Sequence, residues 1–189
     1  MKLINEIRAC TLCAADLPLV PRPILQGSAK SRILIAGQAP GKVAHEKGIP
    51  FDDASGNRLR EWLGVDKQAF YDADLFAIVP MGFCFPGTGK SGDHAPLSRC
   101  AETWRSNLLK QLRGVQLTLV IGQYAQDWHL NRRGSVTEIV QGWRDAPQGY
   151  MPLPHPSPRN NRWLKSNPWF EKELLPQLRT RVKDLLSLA

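Results

Sequence analysis

The chain has 189 residues, 42% hydrophobic and 22% charged, with a formal charge of +8 at pH 7 and a sequence pI near 9.6. That length supports one domain, residues 1–189, with a real core. The composition excludes a disordered chain, and no apolar run reaches membrane-spanning length. The basic excess is rich in arginine and favours a polyanion as partner, nucleic acid above all.

The N-terminal MKLINEIRAC has too short an apolar stretch for a signal peptide, so the chain reads as soluble and cytoplasmic with no membrane partner; a monomer is expected. The first 25 residues open with a helical turn carrying Cys10 and Cys13, followed by the proline-rich connector LPLVPRP. SRILIAG (31–37) is a short apolar run ending in Gly, as expected of a buried strand. QAPGKVAHEKGIPFDDASG reads as a Gly/Pro loop, and SGNRLREWLGV as a helix with Ser55 as N-cap and Leu59, Trp62 and Leu63 at helical spacing. DLFAIVPM is a second buried strand, and GFCFPGTGKSGDHAP a long loop. Its GTGKSGD lacks both the G-x4-G-K-[ST] spacing and a directly following helix, so it is not a phosphate-binding loop. A helix capped by Ser98 follows, then the strand LTLVIG, a helix from QYAQDWHL, and a fourth strand in GYMPLPHPS. The C-terminal segment is helical, interrupted or restarted near Pro176.

Strands alternating with helices predict an α/β domain: a three-layer α/β/α sandwich around a central, mainly parallel, four-stranded sheet. Ligands of such folds bind in the crevice outside the carboxyl ends of the strands. That rule groups three loops, Gln38–Ser55, Gly82–Pro96 and His155–Asn161. The last is unusual. Pro154, Pro156 and Pro158 stiffen the chain around a single histidine, His155, and Ser157, Arg159 and Asn160 follow it.

The four cysteines, Cys10, Cys13, Cys84 and Cys100, form C-x2-C, a long gap, then C-x15-C. C-x2-C is the usual bite for zinc or an iron–sulfur cluster, and structural disulfides are rare in a reducing compartment. Spacing alone leaves open a four-thiolate site or four free thiols. The remaining histidines, His45, His94 and His129, have no ligand pattern, and Trp104, Trp128, Trp143 and Trp169 read as packing residues.

GQAPG after the first strand, GIPFDDASG downstream and HPSPRN near the C-terminus together resemble the uracil-DNA glycosylase superfamily, over roughly residues 5–185. The cysteine pattern is similar to that of its iron–sulfur branch, and HPSPRN resembles the single-strand-selective monofunctional uracil glycosylases letter for letter. The match is a mosaic. Where the classical uracil enzymes carry a water-activating Asp, this chain has Ala39. Where the iron–sulfur branch has an acidic residue before its own small residue and Pro, it has Gln38, and where the second strand ends in an Asn that reads uracil, it has Pro80. FDDASG lacks one residue of the F-x-G-D-x-S-G context.

The resemblance implies a monofunctional DNA glycosylase of base-excision repair, hydrolysing the N-glycosidic bond of uracil or another deaminated base in DNA. It implies a [4Fe-4S] cluster, mainly structural, on Cys10, Cys13, Cys84 and Cys100. His155 becomes the donor to the base O2 as the bond breaks. The turn Gly37, Gln38, Ala39, Pro40, Gly41 offers its backbone to the base, and Phe51 its ring face. Ser157 grips a flanking phosphate, and Arg159 and Asn160 probe the base stack. The carboxylate that positions water is Asp53 first, Asp52 second and Glu46 third. Lys90, Arg132, Arg133, Arg159 and Arg162 are candidates for a phosphate-binding rim. The competing expectation, from Ala39 and Pro80, is a non-catalytic iron–sulfur nucleic-acid-binding protein that keeps the fold.

Overall fold

The computed structural model describes residues 1–90, 92–132 and 134–187. Helix α1 (Lys2–Arg8) precedes strand β1 (Ile33–Ala36); α2 (Lys42–Lys47), α3 (Ala54–Leu63) and α4 (Lys67–Phe70) lead to β2 (Phe76–Ile78). A small hairpin, β3 (Thr88–Gly89) and β4 (Gly92–Asp93), comes next. One continuous helical stretch then comprises α5 (Ser98–Cys100), a π-helical turn Ala101–Arg105 and α6 (Ser106–Gln111). The chain continues through β5 (Leu117–Ile121), α7 (Gln123–Leu130), α8 (Val136–Gln141), β6 (Tyr150–Leu153), α9 (Asn161–Ser166) and α10 (Leu175–Ser187). None of these helices is long and apolar enough to cross a membrane.

The four long-range strands form one parallel sheet in the order β2-β1-β5-β6, with Ile35 beside Ile78 and Leu119, and Leu119 beside Met151. Helices cover both faces, which gives the expected three layers. Alternation along each strand divides the core. Ile33, Ile35, Ile78, Leu117, Leu119 and Met151 pack with α3 and α10. Leu34, Ala77 and Val79 face α1 and α6 through Ile4, Ile7 and Leu108, and Ala36 and Val120 face α7. Pro152 is tolerated because β6 is an edge strand.

Local details depart from the sequence reading. The helix expected to be capped by Ser55 begins at Ala54, with Asp53 as its N-cap. Ser98 is the first residue of its helix rather than a cap, and Leu97 in the cap position makes no side-chain cap bond. The stretch read as a Gly/Pro loop contains α2, which Gly48 ends in the left-handed conformation. Trp128, expected to pack, is 44% exposed.

Because the four strands run in parallel, the segments leaving their carboxyl ends all emerge on one edge of the sheet: the 37–41 turn, the 79–82 stretch, Gly122 and the His155 loop. This edge carries the site.

Candidate functional site

A cavity of about 410 Å³ opens at that edge. Its walls are the 37–41 turn, Phe51 with Asp53 and Ser55, Pro80, the hairpin residues Gly92 and Asp93, and His155 with Ser157, Arg159 and Asn160. The expected base-binding residues Gly37 to Gly41 and Phe51, and Ser157, Arg159 and Asn160 of the expected DNA contacts, therefore border one space, as do His155 and Asp53, whereas Lys90, Arg132 and Arg162 do not.

The His155 loop is fixed from three sides. The Ser157 N–H donates to His155 Nδ1 (3.1 Å), Asn160 Nδ2 donates to the His155 carbonyl (2.7 Å), and Ser157 Oγ accepts from the Arg159 N–H (3.2 Å). Arg58, on α3, donates to the Ser157 carbonyl (3.0 Å) and to Asn161 Oδ1 (2.7 Å), pinning the loop to the helix that starts at Asp53. Burial pushes the His155 pKa down, while Asp53 and Asp93 oppose that shift. The ring is thus held neutral, and with Nδ1 accepting, its proton sits on Nε2.

Phe51 has φ of 55°, a left-handed backbone that is rare for a bulky side chain and of the kind found at functional sites. Two features maintain it. Gly56 has no Cβ, and one placed there would lie 1.6 Å from the Phe51 carbonyl oxygen. The buried Arg60 donates to that carbonyl (3.3 Å), its guanidinium stacked over Phe70 at 5.2 Å. The Phe51 ring consequently reaches the turn: its Cζ is 3.8 Å from where a Gly37 Cβ would be, and it meets Phe70 edge-on.

The turn is held by its own carbonyls, with Met81 N–H donating to Gly37 O (2.8 Å) and Gly82 N–H to Gln38 O (2.9 Å). The Gln38 side-chain amide donates to the carbonyls of Asp93 (3.3 Å) and His94 (2.8 Å), so it ties the hairpin to the turn. Pro80 lines the cavity without a side-chain amide, and its carbonyl accepts from Arg105 Nη1 (2.9 Å).

The two adjacent aspartates diverge. Asp53 borders the cavity while one oxygen accepts the Gly56 N–H (2.8 Å) as helix cap. Asp52 lies outside the cavity lining. Lys67 (2.8 Å) and Lys47 (3.0 Å) hold its two oxygens, and these hydrogen bonds lower its pKa. Glu46 is also outside, exposed on α2 and 4.0 Å from Lys42. Of the expected rim, Arg159 borders the cavity, with Nη1 3.0 Å from where a Gly92 Cβ would stand, whereas Arg132 donates to the Asp145 carbonyl. Arg133 is outside the described residues.

Sequence reasoning missed Asp93, Arg58 and Arg105. Arg105 is fully buried and donates to the carbonyls of Val79 (3.1 Å) and Pro80 behind the cavity floor. It also meets His129 Nε2 at 2.7 Å. Burial pushes the His129 pKa down to about 3, with Arg105 adding to the shift.

A second, apolar cavity is bordered by Gly82, Phe83 and Cys84, the residues that follow Pro80 along the 80–84 segment. Cys10, Cys13, Cys84 and Cys100 all line it, together with Leu17, Phe83 and other apolar groups. Burial raises the Cys84 thiol to about 11 and Cys100 to about 12. The Phe83 N–H donates to Cys100 Sγ (3.4 Å).

Two comparisons bear on these features. The family model described as "Uracil DNA glycosylase superfamily" matches residues 25–179, spanning both the 37–41 turn and the His155 loop. Among solved structures, the fold is similar to the solution NMR structure of a "putative Uracil DNA glycosylase" from Methanosarcina acetivorans. The TM-score is 0.50 at 15% identity, covering 86% of this chain and 98% of that one.

Proposed function

We propose that this chain, which belongs to the uracil DNA glycosylase superfamily, hydrolyses the N-glycosidic bond of uracil or another deaminated base in DNA without cutting the strand. The observation that carries this reading is the His155 ring bordering the same cavity as the 37–41 turn and Phe51, with Nδ1 accepting from the Ser157 N–H so that Nε2 is left to donate.

A base inside a duplex is inaccessible, so the target nucleotide must first be extruded into the cavity, at a cost of a few kcal/mol. Phe51 offers the extruded base its ring face. As the bond breaks, negative charge grows on the base and positive charge on the sugar. His155 Nε2–H donates to the base oxygen, and its rigid loop leaves little reorganisation to be done at that moment. An anionic side chain stabilises the sugar, and Asp53 stands on the cavity wall for that role. Ser157 and the backbone near Pro156 hold a flanking phosphate, and Arg159 enters the space the base leaves. The amide nitrogens of Gln38 and Asn160 are already donating within the protein, and Pro80 has none. Base selection therefore rests on backbone groups, cavity shape and the second N–H of the Asn160 amide.

Cys10, Cys13, Cys84 and Cys100 would hold a [4Fe-4S] cluster that braces the fold. Among the described residues no three His, Cys, Asp or Glu side chains converge on one metal ion. A zinc site needs such convergence, with each sulfur about 2.3 Å from one centre. In a cluster, by contrast, four thiolates surround a larger body. Four cysteines spaced around one apolar cavity suit the second arrangement.

The test is a base-release panel on single- and double-stranded oligonucleotides containing uracil, hypoxanthine or xanthine. Release of free base, leaving an intact strand with an abasic site, supports the reading. Salt-dependent DNA binding with no release from any substrate overturns it in favour of a non-catalytic nucleic-acid-binding protein, the alternative that Ala39 and Pro80 raise.

A further inference from the structure

The hairpin β3–β4 brings a second carboxylate to the cavity wall, and nothing in the ordered motifs assigns it. Asp93 borders the cavity opposite the 37–41 turn, where a Cβ added to Gly41 would stand 3.4 Å from its Oδ2. Its position is fixed twice. Thr88, its cross-strand partner, donates Oγ1–H to Asp93 Oδ1 (2.7 Å), and Gln38 ties the Asp93 carbonyl to the turn (3.3 Å). No lysine or arginine forms an ion pair with it among the described residues, in contrast to Asp52. Asp53, the other cavity carboxylate, already serves as the cap of α3. The turn itself offers only Ala39 where the resembled motif has an acid.

We infer that Asp93, rather than Asp53, is the carboxylate that holds and deprotonates the attacking water. This inference rests on the glycosylase reading above. The step balances as follows. The C1′–N bond breaks with its electron pair leaving on the base, whose oxygen takes the His155 Nε2–H hydrogen bond. The water oxygen bonds C1′, and its proton passes to the Asp93 carboxylate. The base anion takes up one proton from solvent, and Asp93 later returns its proton to solvent. The products are free base and an abasic sugar. Gln38 and Thr88 are positioning residues: one places the strand, the other orients the carboxylate so that Oδ2 faces the turn. Asp53 acts on the sugar as a fixed charge.

The test compares single-turnover base release by wild type, Asp93→Asn, Asp93→Ala, Thr88→Val and Asp53→Asn on a uracil-containing oligonucleotide, with binding of an abasic-site oligonucleotide measured in parallel. Loss of a general base costs about 10²–10⁴ in rate. Asp93→Asn is expected to lose at least about 100-fold in rate while binding DNA as tightly or more so, since one anion has been removed from a polyanion site. Misfolding would weaken both. Added formate should restore part of the Asp93→Ala rate by filling the vacated carboxylate position. Thr88→Val should lose less, about 10-fold, and Asp53→Asn should lose less than Asp93→Asn, since Asn caps a helix comparably. An Asp93→Asn rate within threefold of wild type, or a larger loss for Asp53→Asn, overturns the assignment while leaving the glycosylase reading intact. If wild type releases no base from any substrate, both fall together.

Discussion

The two cavities that share the 80–84 segment are built on opposite principles. The one around His155 is walled by polar groups whose hydrogen bonds are already made: Nδ1 by Ser157, the loop by Arg58 and Asn160, the hairpin by Gln38. The one around the cysteines is apolar, and its thiols are pushed up to about 11 and about 12 at Cys84 and Cys100 by burial. The first is preorganised by the chain alone. The second becomes a ligand set only when something takes the thiol protons, because an unpaired buried thiolate is unfavourable. Preorganised polar groups suit electrostatic catalysis, and an apolar thiol shell suits a bound structural group. Mutations in the two should therefore separate chemistry from stability.

The largest effect belongs to the cysteine cavity. If metal binding contributes to folding free energy here, Cys100→Ser should remove the visible absorption of anaerobically purified protein. It should also cost about 5 kcal/mol, a fall of roughly 10 °C or more in melting temperature at ~2–4 °C per kcal/mol. Below the variant's own melting temperature, the base-release rate should fall less than tenfold. A variant that keeps its melting temperature but loses all activity would contradict the division of labour, as would wild-type protein without metal.

His155→Ala should do the reverse. Removing one donor to a developing oxyanion lowers rates by about 10²–10³. The Ser157 N–H loses its acceptor, a change of about 1 kcal/mol that leaves the melting temperature within a few degrees. Arg58 and Asn160 still anchor the loop through backbone oxygens and Asn161. Comparing base release with thermal unfolding checks both halves at once.

Acid should act through two histidines, His155 in the polar cavity and His129 against Arg105 behind it, with different readouts. Burial depresses the pKa of His155, and that of His129 to about 3. Each is neutral in the folded protein at pH values where the unfolded chain, with an ordinary pKa near 6.5, binds a proton. The stability they contribute is fully present above that ordinary value and is lost as pH falls through it towards the depressed folded value. Urea midpoints should thus decline steadily below about pH 6.5, and His129→Gln should flatten the decline. The acid limb of base release should lie below pH 6.5 as well, because a protonated Nδ1 can no longer accept from Ser157. Neutralising Asp53 or Asp93 should shift that limb further down, since both carboxylates favour the charged ring.

How far these regions were legible in the sequence depends on how each residue reaches its place. His155, Phe51 and the 37–41 turn sit in ordered motifs after parallel strands, and the crevice rule grouped them before any coordinates. Asp52 and Asp53 are adjacent in sequence and look equivalent. The helix beginning at Ala54 separates them, sending one carboxylate to the cavity edge as a cap and the other to Lys47 and Lys67. Asp93 was hidden because the strands around it are two residues long and glycine-rich, with no periodicity to mark them. Arg58 and Arg105 lie within helical stretches whose sequence gives neither a distinguishing pattern. Only the packing of α3 against the His155 loop, and of the π-helical turn against Val79 and Pro80, gives them partners. Backbone pairing follows local pattern, whereas a long side chain's destination is set by tertiary packing.

The smallest effect calibrates the comparison from a place that borders neither cavity. Helix α8 opens with a reciprocal cap in which Ser135 Oγ accepts from the Glu138 N–H (3.2 Å) and Glu138 Oε2 accepts from the Ser135 N–H (2.7 Å). Ser135→Ala removes the first bond and should cost about 1 kcal/mol, seen as ~2–4 °C in melting temperature. The helix does touch the site's supports, since Trp163 on α9, beyond the His155 loop, donates to Thr137 Oγ1 (2.7 Å). Loop geometry should nevertheless survive, because Arg58 on α3 and Asn160 in the loop hold it independently of α8. Unchanged base release alongside that modest thermal loss would show that general destabilisation does not slow the chemistry. A parallel fall in rate would mean that the His155 cavity depends on the scaffold as heavily as the cysteine cavity does, and the contrast between them would fail.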